Sequence, residues 1–265
     1  MSTWSAKRKR RILIIVGLVL LLLVFLVALR VQNSKQPTCF DGLQNGQETG
    51  IDCGGACAKV CVEEVNNMVV WWERPFKVAP GVYNVVAYVE NQNLYSGIEE
   101  LAYEFRLYDE NNILVAEPVR GTTFLEANKR SAIFASGINT GDSDAYTVFF
   151  HTNAIQDWRR VPQEYSYNLF QISEPTLTNQ TTSPKLSAKV RNESFINFED
   201  VPVVAILYNN EGNAIAASRT YIDDLPQGVE VQVFYSWPEP FGDSVSRIEI
   251  IPRVNPFIER ELVTS

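Results

Sequence analysis

Residues 102–110 read AYEFRLYDE, and residues 201–209 read VPVVAILYN. Tyr103, Phe105 and Leu107 alternate with Ala102, Glu104, Arg106 and Tyr108. A period of two is the pattern of a β-strand with one buried face. Leu107-Tyr108-Asp109 returns 100 residues later as Leu207-Tyr208-Asn209. Each copy runs into a polar stretch, Asp109-Glu110-Asn111-Asn112 or Asn209-Asn210-Glu211-Gly212. Such residues make hairpin turns and are read here as turn chemistry rather than a site.

The correspondence extends both ways from this strand. Trp72-Glu73-Arg74-Pro75 aligns with Ile172-Ser173-Glu174-Pro175, and Val89-Glu90-Asn91 with Val190-Arg191-Asn192. Leu125 aligns with Leu225, Ile133-Phe134 with Val233-Phe234, and VFFH (148–151) falls opposite EIIP (249–252). Runs such as YNVVAYVEN (83–91) are rich in Val, Tyr and Ile and are separated by Asn, Gly and Pro, which predicts short strands and an all-β class. Residues 66–158 and 166–258 therefore form two copies of one domain, 93 residues each. The expected fold of each is an Ig-like β-sandwich, with a polar linker at 159–165 and a tail at 259–265. Leu107 and Leu207 are expected at equivalent buried positions, as are Phe134 and Phe234. Few contacts are expected across the linker.

The first copy holds Phe105-Arg106-Leu107-Tyr108-Asp109, preceded by YVENQN at 88–93. It resembles the FxLYD domain family, and more loosely the late-embryogenesis-abundant type of β-sandwich. The resemblance implies an Ig-like or fibronectin-like fold in extracytoplasmic bacterial and archaeal proteins, with no known catalytic site. The second copy departs from the motif at Ala205 and Asn209, so its assignment rests on the repeat.

Upstream, Ile12 to Leu29 is a run of 18 residues without a polar side chain. As a helix it spans roughly 27 Å, close to the hydrocarbon thickness of a bilayer. The cluster Lys7-Arg8-Lys9-Arg10-Arg11 precedes it directly. By the positive-inside rule, a single transmembrane helix over 12–30 keeps the tail 1–11 in the cytoplasm and sends the rest outside. No Ala-x-Ala cleavage site follows, so the expected segment is an uncleaved anchor.

All four cysteines, Cys39, Cys53, Cys57 and Cys61, lie within 23 residues. In an exported chain an even cluster of this kind predicts two disulfides, with three pairings open. The spacing C-x13-C-x3-C-x3-C is a poor match to paired zinc ligands. Residues 31–65 thus form a disulfide-stapled collar. The stretch CFDGLQNGQETGIDCGGACAKVC (39–61) resembles a short motif, C-x-D-G-x-x-N-G-x-E-T-x-x-D-C-G-G-x-C, of bacterial surface and exported proteins. Within it, Asp41, Asn45, Glu48 and Asp52 place oxygen-bearing side chains in a Gly-rich turn. Two readings fit: a calcium loop, since Ca²⁺ takes six to eight oxygens, or side chains that cap turns.

The whole chain carries 23 basic and 31 acidic residues, a net charge of −8. Residues 31–265 alone hold 17 basic and 31 acidic groups, which argues against a nucleic-acid partner. A single histidine, His151, excludes multi-histidine metal sites. Nucleophile elbows, Walker loops and zincin motifs are absent from the sequence. His151 is read as a core-edge residue, and Glu99-Glu100, Asp142/Asp144 and Asp223-Asp224 as solvated acids. Of Trp71-Trp72, adjacent on a strand, one is expected in the core and one exposed as a contact site. Asn179-Gln180-Thr181 and Asn192-Glu193-Ser194 fit the glycosylation pattern.

The expected function is non-enzymatic: a membrane-anchored extracytoplasmic binding, spacer or assembly module. Its expected partners are the bilayer and an envelope protein or glycan. An accessory subunit of an envelope or secretion complex is the second reading, and a wall hydrolase the third.

Overall fold

The computed structural model describes residues 3–33, 38–153, 156–165 and 168–258, with side chains in the first segment given for 8–26. The expected C-terminal tail, 259–265, lies outside the described residues. Two compact units, 1–52 and 53–265, divide the chain.

The first unit opens with helix α1, Thr3–Asn33. The side chains of Ile12 to Leu26 along it are exposed. The described part begins with the four cations Arg8, Lys9, Arg10 and Arg11, and among the described residues no helix is long and apolar enough to cross a membrane. The span expected over 12–30 runs on into residues whose side chains are not described.

The second unit is built of strands. They are β1 (Val69–Ala79), β2 (Val82–Asn91), β3 (Ser96–Tyr108), β4 (Val119–Leu125), β5 (Lys129–Asn139), β6 (Thr147–Thr152) and β7 (Trp158–Arg160) in the first copy. The second copy has β8 (Phe170–Thr178), β9 (Lys185–Asn192), β10 (Phe198–Tyr208), β11 (Ala214–Leu225), β12 (Glu230–Ser236) and β13 (Arg247–Pro252). In the first copy, sheet β1-β2-β5 faces sheet β4-β3-β6, with β7 added beside β3. In the second, sheet β12-β9-β8 faces sheet β11-β10-β13. All the pairs are antiparallel, including β3 with β6 and, at the matching register, β10 with β13.

Each sandwich has its own core. Phe105 and Leu107 of β3 pack with Val85, Ala87 and Ile133 of the opposite sheet. Leu207 of β10 packs with Leu186, Ala188 and Val233. Leu107 and Leu207 are both 0% exposed, as their matching positions predict.

A third cluster lies between the sandwiches. Phe76, Val86, Tyr88, Ala132 and Phe134 of sheet β1-β2-β5 pack against Val204, Ile206, Tyr208, Ala214 and Ala217 of sheet β11-β10-β13. The four sheets thus form four layers, and the two inner sheets are buried on both faces. Strands buried on both faces read as continuous apolar runs, which is why 83–91 and 201–209 lack the alternation of 102–110. The expectation that few contacts cross between the copies is overturned. The stretch 159–165 also joins the cores: Arg160 pairs with Ser96 on β3, Val161 is buried, and Tyr165 packs near Phe198 in the second core.

The packing is asymmetric. The inner sheet of the first copy corresponds by repeat to the outer sheet of the second. Where the first copy has Val86 and Tyr88 on that face, the second has Ser187 and Lys189. Where the second copy has Val204 and Ile206 on its inner face, the first has Glu104 and Arg106. Polar residues at the outer faces end the stack at two sandwiches. Phe234 shows the consequence: expected buried like Phe134, it is 64% exposed, because no further sheet covers β12.

Candidate functional site

Within the first unit, Asp52 accepts the Asp41 amide at 2.9 Å and the Gly42 amide at 3.0 Å. Asp41 accepts the Leu43 amide through Oδ1 and the Asn45 side-chain amide through Oδ2, both at 3.0 Å. Glu48 Oε2 accepts the Asn45 amide at 3.1 Å. The turn therefore gathers all four residues that the sequence singled out, and each of the three carboxylates caps a backbone amide. A cation would compete with these amides for the same oxygens. Asp52 itself has φ of 54°, a left-handed conformation that Asp tolerates better than most residues. All four cysteines are in disulfides. Cys53 pairs with Cys61. In the second unit, Cys57, Val60 and Cys61 are buried, and Val60 joins the core of the first sandwich.

The repeated polar residues are structural. Asp109 Oδ1 accepts the amides of Asn111 and Ile113, both at 2.8 Å. Asn209 Oδ1 accepts those of Glu211 and Asn213 at 3.1 and 2.8 Å. Three residues on, Asn112 and Gly212 hold the same left-handed conformation, at φ of 60° and 80°. Asn91 and Asn192 form a second matched pair. Asn91 donates to the carbonyls of Ser96 and Glu126 at 2.7 and 2.8 Å. Asn192 donates to those of Ile196 and Leu225 at 2.7 and 2.9 Å. Asn192 is 0% exposed and fully hydrogen-bonded, so the folded chain offers only Asn179, in an exposed turn, to a glycosyl donor.

Of the two adjacent tryptophans, Trp72 stacks on Tyr88 with centroids 5.2 Å apart and borders the inter-sandwich cluster. Trp71 is 53% exposed, donates to Glu90 at 2.9 Å and carries the Arg130 guanidinium over its ring at 4.7 Å. His151 is exposed on β6 opposite Glu104, not at a core edge, because its strand neighbour Phe150 takes the inward position. Asp144 is held below its usual range by Lys77 and Tyr83. Glu99 pairs with Arg159, while Asp223 and Asp224 are exposed.

The polar chemistry concentrates between the sandwiches, among residues that lie more than 120 positions apart in the sequence. Tyr88 donates to Glu249 at 2.5 Å and Tyr208 donates to the other oxygen at 2.9 Å. Burial and this shared carboxylate push both phenols well above their usual range. Arg253 and Glu126, 6% and 7% exposed, form an ion pair at 3.2 Å across the two copies. Arg253 also donates to the carbonyls of Phe124 and Ala132, at 2.5 and 3.4 Å.

A cavity of about 230 Å³ opens beside this interface. Phe76 of β1, Ala217 of β11, and Trp237, Pro238, Pro240 and Phe241 of the loop after β12 line it. Trp237 and Phe241 meet edge to face at 5.2 Å. Trp237 is 7% exposed, and its indole N–H has no acceptor among the described residues. The signal in the sequence was WPEPFG at 237–242, with two prolines and two aromatics in six residues.

No protein-family model and no curated protein matches the chain. Among solved structures, red sea bream transglutaminase aligns with 71% of this chain and 29% of its own, at 9% identity and a TM-score of 0.24. A β-glucuronidase of glycoside hydrolase family 2 aligns with 61% of this chain and 21% of its own, at 13% identity and a TM-score of 0.21. The C-terminal globular domain of an oligosaccharyltransferase from Pyrococcus abyssi aligns with 70% of this chain and 46% of its own, at 13% identity and a TM-score of 0.18. The chain thus spans less than half the length of each, and likeness at this level carries no functional argument.

Proposed function

We propose that this chain is a non-enzymatic, membrane-anchored module that holds a rigid pair of FxLYD-type sandwiches outside the cell for binding or spacing. The observation that carries the reading is the apolar cluster between the sandwiches. Ten buried residues from two sheets lock two domains that a flexible tether would leave independent. A spacer or binding platform needs that rigidity, since a fixed geometry lowers the ordering cost of engaging a partner. The disulfides fit an oxidising compartment. The 18-residue apolar run behind Lys7–Arg11 supplies the anchor, with its tail inside the cell.

Protease added to intact cells tests the reading. It should remove everything beyond residue 38 and leave a membrane-held fragment that begins with the intact tail 1–11. A mature N-terminus near residue 30, or an ectodomain shielded until the cells are broken, would overturn it.

A further inference from the structure

We propose that the end of the stack formed by the β2–β3 and β9–β10 loops rests on a lipid bilayer, with Leu94, Tyr95 and Phe195 entering its interfacial layer. The inference rests on the membrane-anchored reading and deepens it, by adding a peripheral contact to the span.

The two loops are built alike. Asn91 donates to the Ser96 carbonyl and Asn192 to the Ile196 carbonyl, both at 2.7 Å. Each bond closes a loop on the residue that follows an aromatic, Tyr95 in the first copy and Phe195 in the second. Oδ1 of the same asparagines accepts the amides of Asn93 and Ser194, at 3.0 and 2.9 Å. Tyr95 is 62% exposed, Phe195 67% and Leu94 56%. None of the three belongs to an apolar cluster of the fold. A pinned loop that holds a large apolar side chain in water, at the same place in both copies, adds nothing to either core.

Both tips lie at one end of the stack. The Val161 amide donates to the Tyr95 carbonyl and the Glu193 amide to the Leu169 carbonyl, both at 2.8 Å. The short connection between the copies thus ties the two loops together. Phe257, which follows β13, lies against Gly97, two residues from Tyr95. The chain enters the sandwiches at this same end. Asn66, which precedes β1, exchanges two hydrogen bonds of 2.8 Å with the Asn93 side chain. Residues 30–65 lead from the apolar run to that point.

A bilayer fits these tips better than a protein does. A docked protein needs a continuous patch of about 800 Å² on each partner. Here the apolar side chains stand on separate loops, beside exposed Gln92, Glu193 and Asn197. Lipid takes such rings singly, and the headgroup layer favours aromatic and Leu side chains. A chain anchored in the same bilayer keeps the tips at high effective concentration, so a weak attraction at each ring is enough. Glu63, Glu64 and Glu193 are exposed at this end, so the contact is apolar rather than a pairing with anionic headgroups.

The test places the full chain in phosphatidylcholine vesicles. Three variants each add one tryptophan: Tyr95→Trp, Phe195→Trp and, as the control, Phe234→Trp on the outer face of β12. All three should melt as the parent does, because the positions are exposed. Lipids spin-labelled at a shallow acyl position quench a nearby indole. The emission added at 95 and 195 should be quenched at least about twofold more than that added at 234. The difference should persist at high salt. Tips quenched no more than the control, in vesicles that hold the chain, would overturn this inference, hand the tips to a protein partner and leave the anchor standing. Quenching that requires phosphatidylglycerol would overturn it as well. A chain that does not float with the vesicles would overturn the anchored reading, and this inference with it.

Discussion

Phe134 and Phe234 stand 100 residues apart at matching strand positions, yet Phe134 is 6% exposed and Phe234 is 64% exposed. The Phe134 ring lies under the Arg219 guanidinium at 5.0 Å, and its carbonyl accepts from the same group at 3.2 Å. Both contacts come from the other sandwich. Phe134→Ala should therefore destabilise the chain by about 3–5 kcal/mol, the usual range for a buried Phe. Phe234→Ala should stay within about 0.5 kcal/mol of the parent. Chemical denaturation of the two variants checks the contrast, and equal effects would remove the basis for the asymmetric packing.

The buried interface makes the sandwiches interdependent. Leu107→Ala, at a fully buried position, should cost about 2–5 kcal/mol. Calorimetry should show one transition at a lower temperature, because the second copy loses its covering sheet when the first unfolds. Val204→Asp, which buries a charge in the inter-sandwich cluster, should instead split the transition into two. Two separate transitions in the parent protein would mean that the interface contributes little.

Asn91 and Asn192 each hold two backbone carbonyls through one side-chain amide. Asn192→Ala should lower stability by about 2–4 kcal/mol, since the Leu225 carbonyl would lose its Asn192 donor and the Ile196 carbonyl would keep only the Ser194 hydroxyl at 3.2 Å. Asn91→Ala should do the same in the first copy. If the chain is made in a glycosylating host, peptide mapping should find sugar at Asn179 and none at Asn192.

The collar turn should depend on Asp52 in the presence or absence of calcium. Asp52→Ala frees the amides of Asp41 and Gly42, and should loosen residues 39–52 in both calcium and EDTA. Hydrogen exchange of the Asp41 and Gly42 amides reads this directly. Protection that appears only with calcium would favour a cation at Asp41, Asn45, Glu48 and Asp52 over turn capping.

Glu73 gives the fold a pH signature on the acid side. Burial raises its carboxyl above the ordinary value of 4.5, against the lowering effects of the Phe150 amide and the His151 ring. The folded state therefore holds this proton more tightly than the unfolded state. The cost of burying the carboxylate is present above the folded pKa, shrinks as pH falls through it, and is gone below about 4.5. Glu73→Gln should raise the melting temperature near pH 7 and give no gain near pH 4. A gain that is the same at both values would show that charge is not the cause.

Strand alternation at 103, 105 and 107 and the turns after Leu107-Tyr108 and Leu207-Tyr208 are legible in the sequence because they are local, and the repeat is legible because the two copies keep matching residues at one offset. The strands and turns depend only on neighbours within a few residues. The same holds for the four oxygen-bearing residues of the collar, which lie within 12 positions and meet in one turn. The sequence also contains, without assigning it, the difference between outer and inner sheets. Val86 with Tyr88 and Val204 with Ile206 make their strands apolar on both faces, but a run of that kind does not say which surface will cover it.

That choice belongs to the tertiary structure. It set the first copy's β1-β2-β5 sheet against the second copy's β11-β10-β13 sheet, buried Phe134 and left Phe234 in solvent. It brought Tyr88 to Glu249 and Arg253 to Glu126 over more than 120 residues. It paired Cys53 with Cys61 where spacing left three possibilities open, because a disulfide needs backbone proximity that only the folded collar provides. The cavity at Trp237 follows the same rule. Its walls come from residues 76, 217 and 237–241, and they become neighbours only when two sandwiches, each complete in its own core, bury a second apolar face against one another.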